Sequence, residues 1–301
     1  MIGNPNHADS FEFDRNHPSN SISVIIAVYN GAKLISETLK TILGQTLSPT
    51  EVIVVNDGST DDTASVVEEF GDSVRLITTT NQGVCAARHE GAAKATGTWL
   101  AFCDHDDLWL PTKLEKQLGL ANEVPEVHCV ITDYADLTGD VVAEHSHFSF
   151  VPNGFWVQEQ HEHGFVVREP ITGKLTTFQP GITSTPIVKR SFYQSVGGFD
   201  KDVTNSAEDT CFHFRCLSAV PFGVVPEVLM HYRRHPSSWS ADSAKQLRNG
   251  VLVWEHILAN YPQAQPFRSD LMKGLEAMRK EVAEVDRYQR RQKLKRLLGF
   301  K

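Results

Sequence analysis

Three carboxylates fall within four positions at Asp104, Asp106 and Asp107, directly behind the apolar run Trp99-Leu100-Ala101-Phe102. Such a run reads as a buried strand, and its carboxyl edge is where open α/β sheets hold their ligands. Clustered carboxylates there repel one another unless a divalent cation neutralises them. The pattern therefore predicts a metal and a diphosphate at this edge. Aspartate also caps helices, and Asp106 or Asp107 could instead start the helix expected after Pro111.

The elements that must position this cluster can be read upstream of it. Ile22 to Val28 is a continuous β-branched run, as expected of a parallel strand covered on both faces, and it stops at Tyr29-Asn30-Gly31. Apolar residues at Leu34, Ile35, Thr38, Leu39, Ile42 and Leu43 then follow helical spacing, and a second buried strand runs from Val52 to Val55. Gly58 permits a tight turn, with Ser59, Thr60 or Asp61 available to cap the helix carrying Val66, Val67 and Phe70. A third strand spans Val74 to Thr79. The next helix carries small residues at Ala86, Ala87, Gly91, Ala92 and Ala95, which allow it to lie close on a sheet before the strand that delivers Asp104. Strand and helix thus alternate through the first half of the chain.

Several pieces together resemble the nucleotide-binding half of a family 2 glycosyltransferase with the GT-A fold. They are Val28-Tyr29-Asn30, Val55 to Asp61, Asn81-Gln82-Gly83 with Ala87-Arg88, the Asp104 cluster, and Leu108-Trp109-Leu110-Pro111. Val196 to Asp200, the pair Glu208-Asp209, Arg215 and the stretch His231 to Pro236 extend the resemblance to residues 21–240. It implies a Rossmann-like open, twisted, mostly parallel sheet flanked by helices, with a C-terminal helical extension. The expected division is a disordered leader over 1–20, a nucleotide-sugar half over 21–120, an acceptor and catalytic-base half over 121–240, and a helical extension with a basic tail over 241–301.

The resemblance also implies roles. Asp57 would accept from the imide of uracil, Arg88 would brace Asp57 and the base, and the backbone from Ala27 to Tyr29 would line base and ribose. Asp106, with Asp104 nearby, would hold Mn²⁺ or Mg²⁺, and His235 could add an imidazole, which suits Mn²⁺ better. Such an ion stabilises a departing diphosphate without proton transfer. The acceptor hydroxyl must lose a proton as it attacks, and Asp209 is the candidate base with Glu208 in support. Asn205 and Ser206 could cap their helix, and acidic residues also favour a first helical turn for its dipole alone. Three positions depart from the family pattern: Asn56 where Asp is common, His89 where Asn is common, and His105 inside the cluster. The first two are expected to tune nucleotide contacts, and strand alternation would turn His105 away from its Asp neighbours.

His145, His147, His161 and His163 are strung through a segment that also holds Phe148, Phe150, Phe155 and Trp156. Their spacing is a poor match to zinc ligation. An acceptor-binding loop and a surface insertion with a small satellite core both remain open readings.

At 301 residues, 41% hydrophobic and 22% charged, the chain can bury a sizeable core. Five cysteines argue against a disulfide framework, and a cytoplasmic enzyme is the simplest expectation. A net charge of -8 disfavours nucleic acid as a partner. No segment is long and apolar enough to span a membrane, yet Arg287 to Lys301 holds seven cations and no acid, interleaved with Leu294, Leu297, Leu298 and Phe300. Residues 287–301 are therefore a candidate peripheral contact with the anionic inner face of a membrane, set against a plain solvated helix end.

The expected activity is metal-dependent, inverting transfer of a sugar from a nucleotide-sugar donor, UDP-linked first, to a hydroxyl of a glycan or lipid-linked acceptor in cell-surface polysaccharide synthesis. GDP- or dTDP-sugar donors, and a nucleotide-sugar or glycan binding module without catalysis, are the alternatives. A dinucleotide-dependent oxidoreductase is set aside, because Tyr29-Asn30-Gly31 lacks the glycine-rich turn that it needs.

Overall fold

The first strand, β1 (Ile22–Val28), is buried at every position. Its alternate side chains enter two different cores. Ile25 and Ala27 join Ile53, Val55, Leu100 and Phe102 on one face, while Val24, Ile26 and Val28 join Val52, Val54, Ala101 and Cys103 on the other. That two-sided burial is why the run carries no polar alternation. The computed structural model describes residues 18–200, 203, 208–236 and 242–297, the side chains of 18 and 293–297 excepted.

The chain continues through α1 (Ile35–Leu43), β2 (Glu51–Asn56), α2 (Thr63–Glu68), β3 (Arg75–Thr78), α3 (Val84–Lys94) and β4 (Trp99–Asp104). The small residues of α3 serve close packing, since a Cβ added at Gly91 would come within 2.5 Å of Ile25 Cγ2. Next come β5 (Leu108–Trp109), α4 (Lys113–Glu123), β6 (Cys129–Thr138), β7 (Val141–Val142), β8 (Glu159–His161), β9 (Gly164–Val167) and β10 (Ile187–Lys189). The last third holds α5 (Arg190–Ser195), α6 (Glu208–Ser218), β11 (Phe222–Arg234), α7 (Ser243–Asn260) and α8 (Arg268–Leu297).

One sheet runs in the order β3-β2-β1-β4-β10-β6-β11-β9-β8. The block β3-β2-β1-β4 is parallel, as is the pair β6 and β11. Short β10 lies antiparallel to both β4 and β6, so the two parallel blocks point the same way. The strands that carry the site thus form the expected mostly parallel α/β sheet, with helices on both faces and α7 and α8 extending it.

Buried Val253, Trp254, Ile257, Leu258, Leu271 and Leu275 tie α7 and the start of α8 into the core shared by α6 and the sheet. Among the described residues no helix is long and apolar enough to cross a membrane. Arg287, Arg290 and Arg291 lie on the exposed part of α8, whereas the leader 1–17, Asn205, Ser206, and the side chains of the tail from Lys293 onward lie outside the described residues.

The aromatic segment differs from the reading of a surface insertion with its own satellite core. Phe155 is fully buried in the core beneath the first sheet face, and Phe148 and Trp156 pack against that same core, so no separate satellite cluster forms. His147 stacks between Tyr134 and Phe178 at 4.5 Å and 4.6 Å.

Candidate active site

The strand register aligns three carboxyl ends. Ala27 pairs beside Asp104, and Val28 beside Asn56, so the turns that follow β1, β2 and β4 converge. They enclose a cavity of about 860 Å³ lined by Ala27, Tyr29, Asp57, Arg88, Asp104, Asp106, Glu208, Asp209 and His235, among others. Every residue expected at the site therefore faces one space. None of residues 144–164 lines it.

The turn after β1 is held by the turn after β2. Asn30 has φ 54°, a left-handed conformation that asparagine tolerates. Its N–H donates to Ser59 Oγ at 2.9 Å, and its Oδ1 accepts from the Thr60 N–H at 2.8 Å. Gly31 is required by contact, because a Cβ there would meet His105 Cδ2 at 2.5 Å. The strand ends at Asp104, so alternation no longer governs His105, which packs over Gly31 and lines the same cavity as its Asp neighbours.

Asp57 is buried, and its two oxygens accept the N–H groups of Gln82 at 2.9 Å and Gly83 at 2.8 Å. It shapes the loop that starts α3 while keeping carboxylate lone pairs toward the cavity. Asn56 does not contact that space, since its Oδ1 accepts from the Ser59 N–H at 3.0 Å in a buried turn. His89 is likewise tied elsewhere, its Nε2 lying 2.5 Å from the Phe199 carbonyl. Neither side chain lines this cavity, so an influence of these two departures on nucleotide contacts would pass through the turn and the helix that carry Asp57 and Arg88.

Arg88 is the larger correction. Its guanidinium does not brace Asp57. One nitrogen donates to Asp104 Oδ1 and another to Glu208 Oε1, each at 2.7 Å, while the ring of Phe199 lies 4.7 Å beneath it. A guanidinium with 4% exposure needs countercharge, which Asp104 and Glu208 supply on its two sides.

The clustered carboxylates divide their work. Asp107 is fully buried and caps no helix, accepting instead from Ser184 Oγ at 2.5 Å and from the Arg233 N–H at 3.3 Å. Burial, then the charges of Asp106 and Asp104, raise its carboxyl well above the usual range. Asp104 is raised by burial against the opposing pull of Arg88. Asp106 accepts from His235 Nε2 at 2.9 Å, bringing together two of the expected metal ligands. The third does not join them: among the described residues, three metal-binding groups converge only at Glu123, Glu162 and His163.

Joined to the cluster through Arg88, Glu208 and Asp209 occupy the first turn of α6, with Glu208 held by that guanidinium. Burial, then the charge of Glu208, pushes the Asp209 carboxyl up to about 7, with Arg88 acting the other way. Glu208 Oε2 is buried without a hydrogen-bond partner in the described structure. A carboxylate poised near neutrality at a cavity wall can accept a proton from a bound hydroxyl.

Sequence reasoning missed the segment 181–185. Thr183 lines the cavity, and Ser184 Oγ bridges the cluster by accepting from the Asp104 N–H at 3.0 Å and donating to Asp107. The run Thr183-Ser184-Thr185 between Gly181 and Pro186 was the available signal, a hydroxyl-rich loop of unknown location.

A family model described as glycosyl transferase family 2 matches residues 23–181. Over 244 residues the chain is 30% identical to an uncharacterized glycosyltransferase of Nostoc sp., spanning 76% of this chain and 70% of that protein. It is similar in structure to residues 1–349 of S. aureus TarS in complex with UDP, with TM-score 0.60, 20% identity, and coverage of 85% and 70% of the two chains. It is also similar to the mannosyltransferase PcManGT of Pyrobaculum calidifontis in complex with GDP-Man and Mn²⁺, with TM-score 0.58, 20% identity and coverage of 90% and 77%.

Proposed function

The chain belongs to glycosyl transferase family 2 and is a glycosyltransferase of GT-A fold; on that footing we propose that it moves a sugar from a UDP-sugar to an acceptor hydroxyl, with inversion. The observation that carries this reading is that Asp209 lines one cavity together with Asp57 and Asp106, its carboxyl pushed up to about 7. A base that shares one cavity with a diphosphate site suits direct displacement, which inverts the anomeric centre.

In this mechanism the segment Ala27 to Tyr29 and Asp57 receive the nucleotide. Exposed Tyr29 offers a ring face to the base, and Asp57, anchored by the Gln82 and Gly83 N–H groups, accepts from the imide. Asp209 takes the acceptor proton. Arg88 holds Asp104 and Glu208 in place and tempers the negative charge around that base. The donor set of Asp106 and His235, one carboxylate and one imidazole 2.9 Å apart, fits a divalent cation that also takes oxygens from a diphosphate. When bound, Mn²⁺ or Mg²⁺ would neutralise the charge of the departing diphosphate. Asp104 would support this pair from its ion pair with Arg88.

A GDP-sugar donor is the second reading, supported by the GDP-Man complex of the similar mannosyltransferase. A binding module without catalysis is disfavoured, because binding needs no base at Asp209. For the acceptor we propose a glycan or lipid-linked hydroxyl, with the cations of 287–301 favouring an anionic cytoplasmic membrane face. Thermal-shift screening of sugar nucleotides with Mn²⁺, followed by UDP release with and without acceptor, tests the donor. Stabilisation by GDP-sugars alone would overturn the UDP assignment.

A further inference from the structure

A second group of metal-binding side chains lies at the far end of α4 from the cavity, about 16 Å along an eleven-residue helix. Glu123 ends α4, and Glu162 and His163 form the two-residue turn between β8 and β9. One donor atom from each of the three lies within 4.8 Å of the others. His163 Nδ1 is hydrogen-bonded to Glu123 Oε1, and His161 Nδ1 stands 3.9 Å from Glu123 Oε2.

The arrangement is built rather than incidental. The Glu162 N–H donates to Glu123 Oε2 at 3.0 Å, which locks the hairpin turn to the helix end. Position 119 is glycine where any side chain would collide with the imidazole, since a Cβ there would lie 2.6 Å from His163 Cδ2. Both histidines and Glu123 are only partly exposed, at 22%, 35% and 20% of their side chains.

We propose that Glu123, Glu162, His163 and His161 form a zinc site that clips the β8–β9 hairpin, at the edge of the sheet, to the end of α4. Two imidazoles and two carboxylates make a neutral complex with Zn²⁺, and this mixed nitrogen and oxygen set selects Zn²⁺ over Mn²⁺ or Mg²⁺. The ion would take the place of the hydrogen between His163 Nδ1 and Glu123, the neutral imidazole then carrying its proton on Nε2. The site is independent of the donor cavity and of any role for Asp106 and His235.

The test uses the full-length chain, stripped with chelator and titrated calorimetrically with zinc chloride. A variant combining Asp106→Ala and His235→Ala, which disarms the cavity pair, should still bind one equivalent. Adding His163→Ala or Glu123→Gln should weaken that binding at least about tenfold. Cobalt(II) added to the otherwise unaltered chain should give the visible absorption of a four-coordinate nitrogen and oxygen site, lost in His163→Ala. Retained circular dichroism guards against misfolding. The proposal is overturned if the cavity variant binds no zinc, if His163→Ala and Glu123→Gln leave the affinity unchanged, or if the cobalt spectrum survives His163→Ala.

Discussion

Replacing Asp209 by Asn keeps its shape and removes its basicity. The carboxyl sits at about 7 instead of its ordinary 3.8, so its conjugate base holds a proton roughly a thousandfold more strongly than a free aspartate would. That value sets the pH profile: kcat should rise with unit slope below about 7 and level off above it, reaching only about a tenth of its plateau at about pH 6. Asp209→Asn should lower kcat at least about 10²-fold, roughly 3 kcal/mol of lost barrier lowering, and flatten the acid limb. Initial rates of UDP release at saturating donor and acceptor measure this, with UDP affinity followed separately by calorimetry. Nucleotide affinity should be nearly unchanged, since Asp57 and Tyr29 stand elsewhere on the cavity wall. A flat wild-type profile across this range, or an Asp209→Asn loss that appears equally in UDP affinity, would refute the assignment of the base.

Three further outcomes follow from the geometry. Asp106→Ala should remove most activity and EDTA should reproduce that loss in the wild type, whereas His235→Ala should weaken metal dependence without abolishing it; full turnover in EDTA contradicts the metal assignment. Arg88→Met leaves Glu208 as a buried and Asp104 as a partly exposed uncompensated charge and should cost about 3 kcal/mol in a denaturant melt, with the acid limb of kcat moving to higher pH. Lys113 is fully buried over the Trp109 ring, and burial depresses its ammonium to about 7. The unfolded chain therefore binds the extra proton above that value. Stability should rise with pH from about 7 toward the lysine range by as much as about 1.4 kcal/mol per unit, a slope that Lys113→Met should remove in melts across that range.

The strand and helix alternation was legible because β1, β2 and β4 are covered on both faces and leave uninterrupted apolar runs. The cluster at Asp104 to Asp107 and the turn at Gly58 were legible because local chemistry marks them, and the pair Glu208-Asp209 because it resembles a family motif. What stayed hidden depends on pairing between distant segments. Arg88 meets Glu208 across 120 positions, and only the fold brings Ser184 under Asp104. Short β10 inserts antiparallel between two parallel blocks, and three residues carry too little pattern to announce it. His161 and His163 looked unordered because the residue they share, Glu123, belongs to a helix about forty positions earlier.

The contact between Arg88 and Glu208 has a bearing on how this enzyme could be re-engineered. Arg88 lies inside the stretch that the family model matches, and Glu208 lies beyond it. A hybrid that grafts a foreign C-terminal segment onto residues 23–181 would inherit a buried cation whose second anchor arrives with the foreign piece. Where the incoming sequence brings no acid to that place, the graft would be electrostatically mismatched at its seam, however well the sheet rejoins. Compatibility at this one pair is a sensible first filter for chimera libraries.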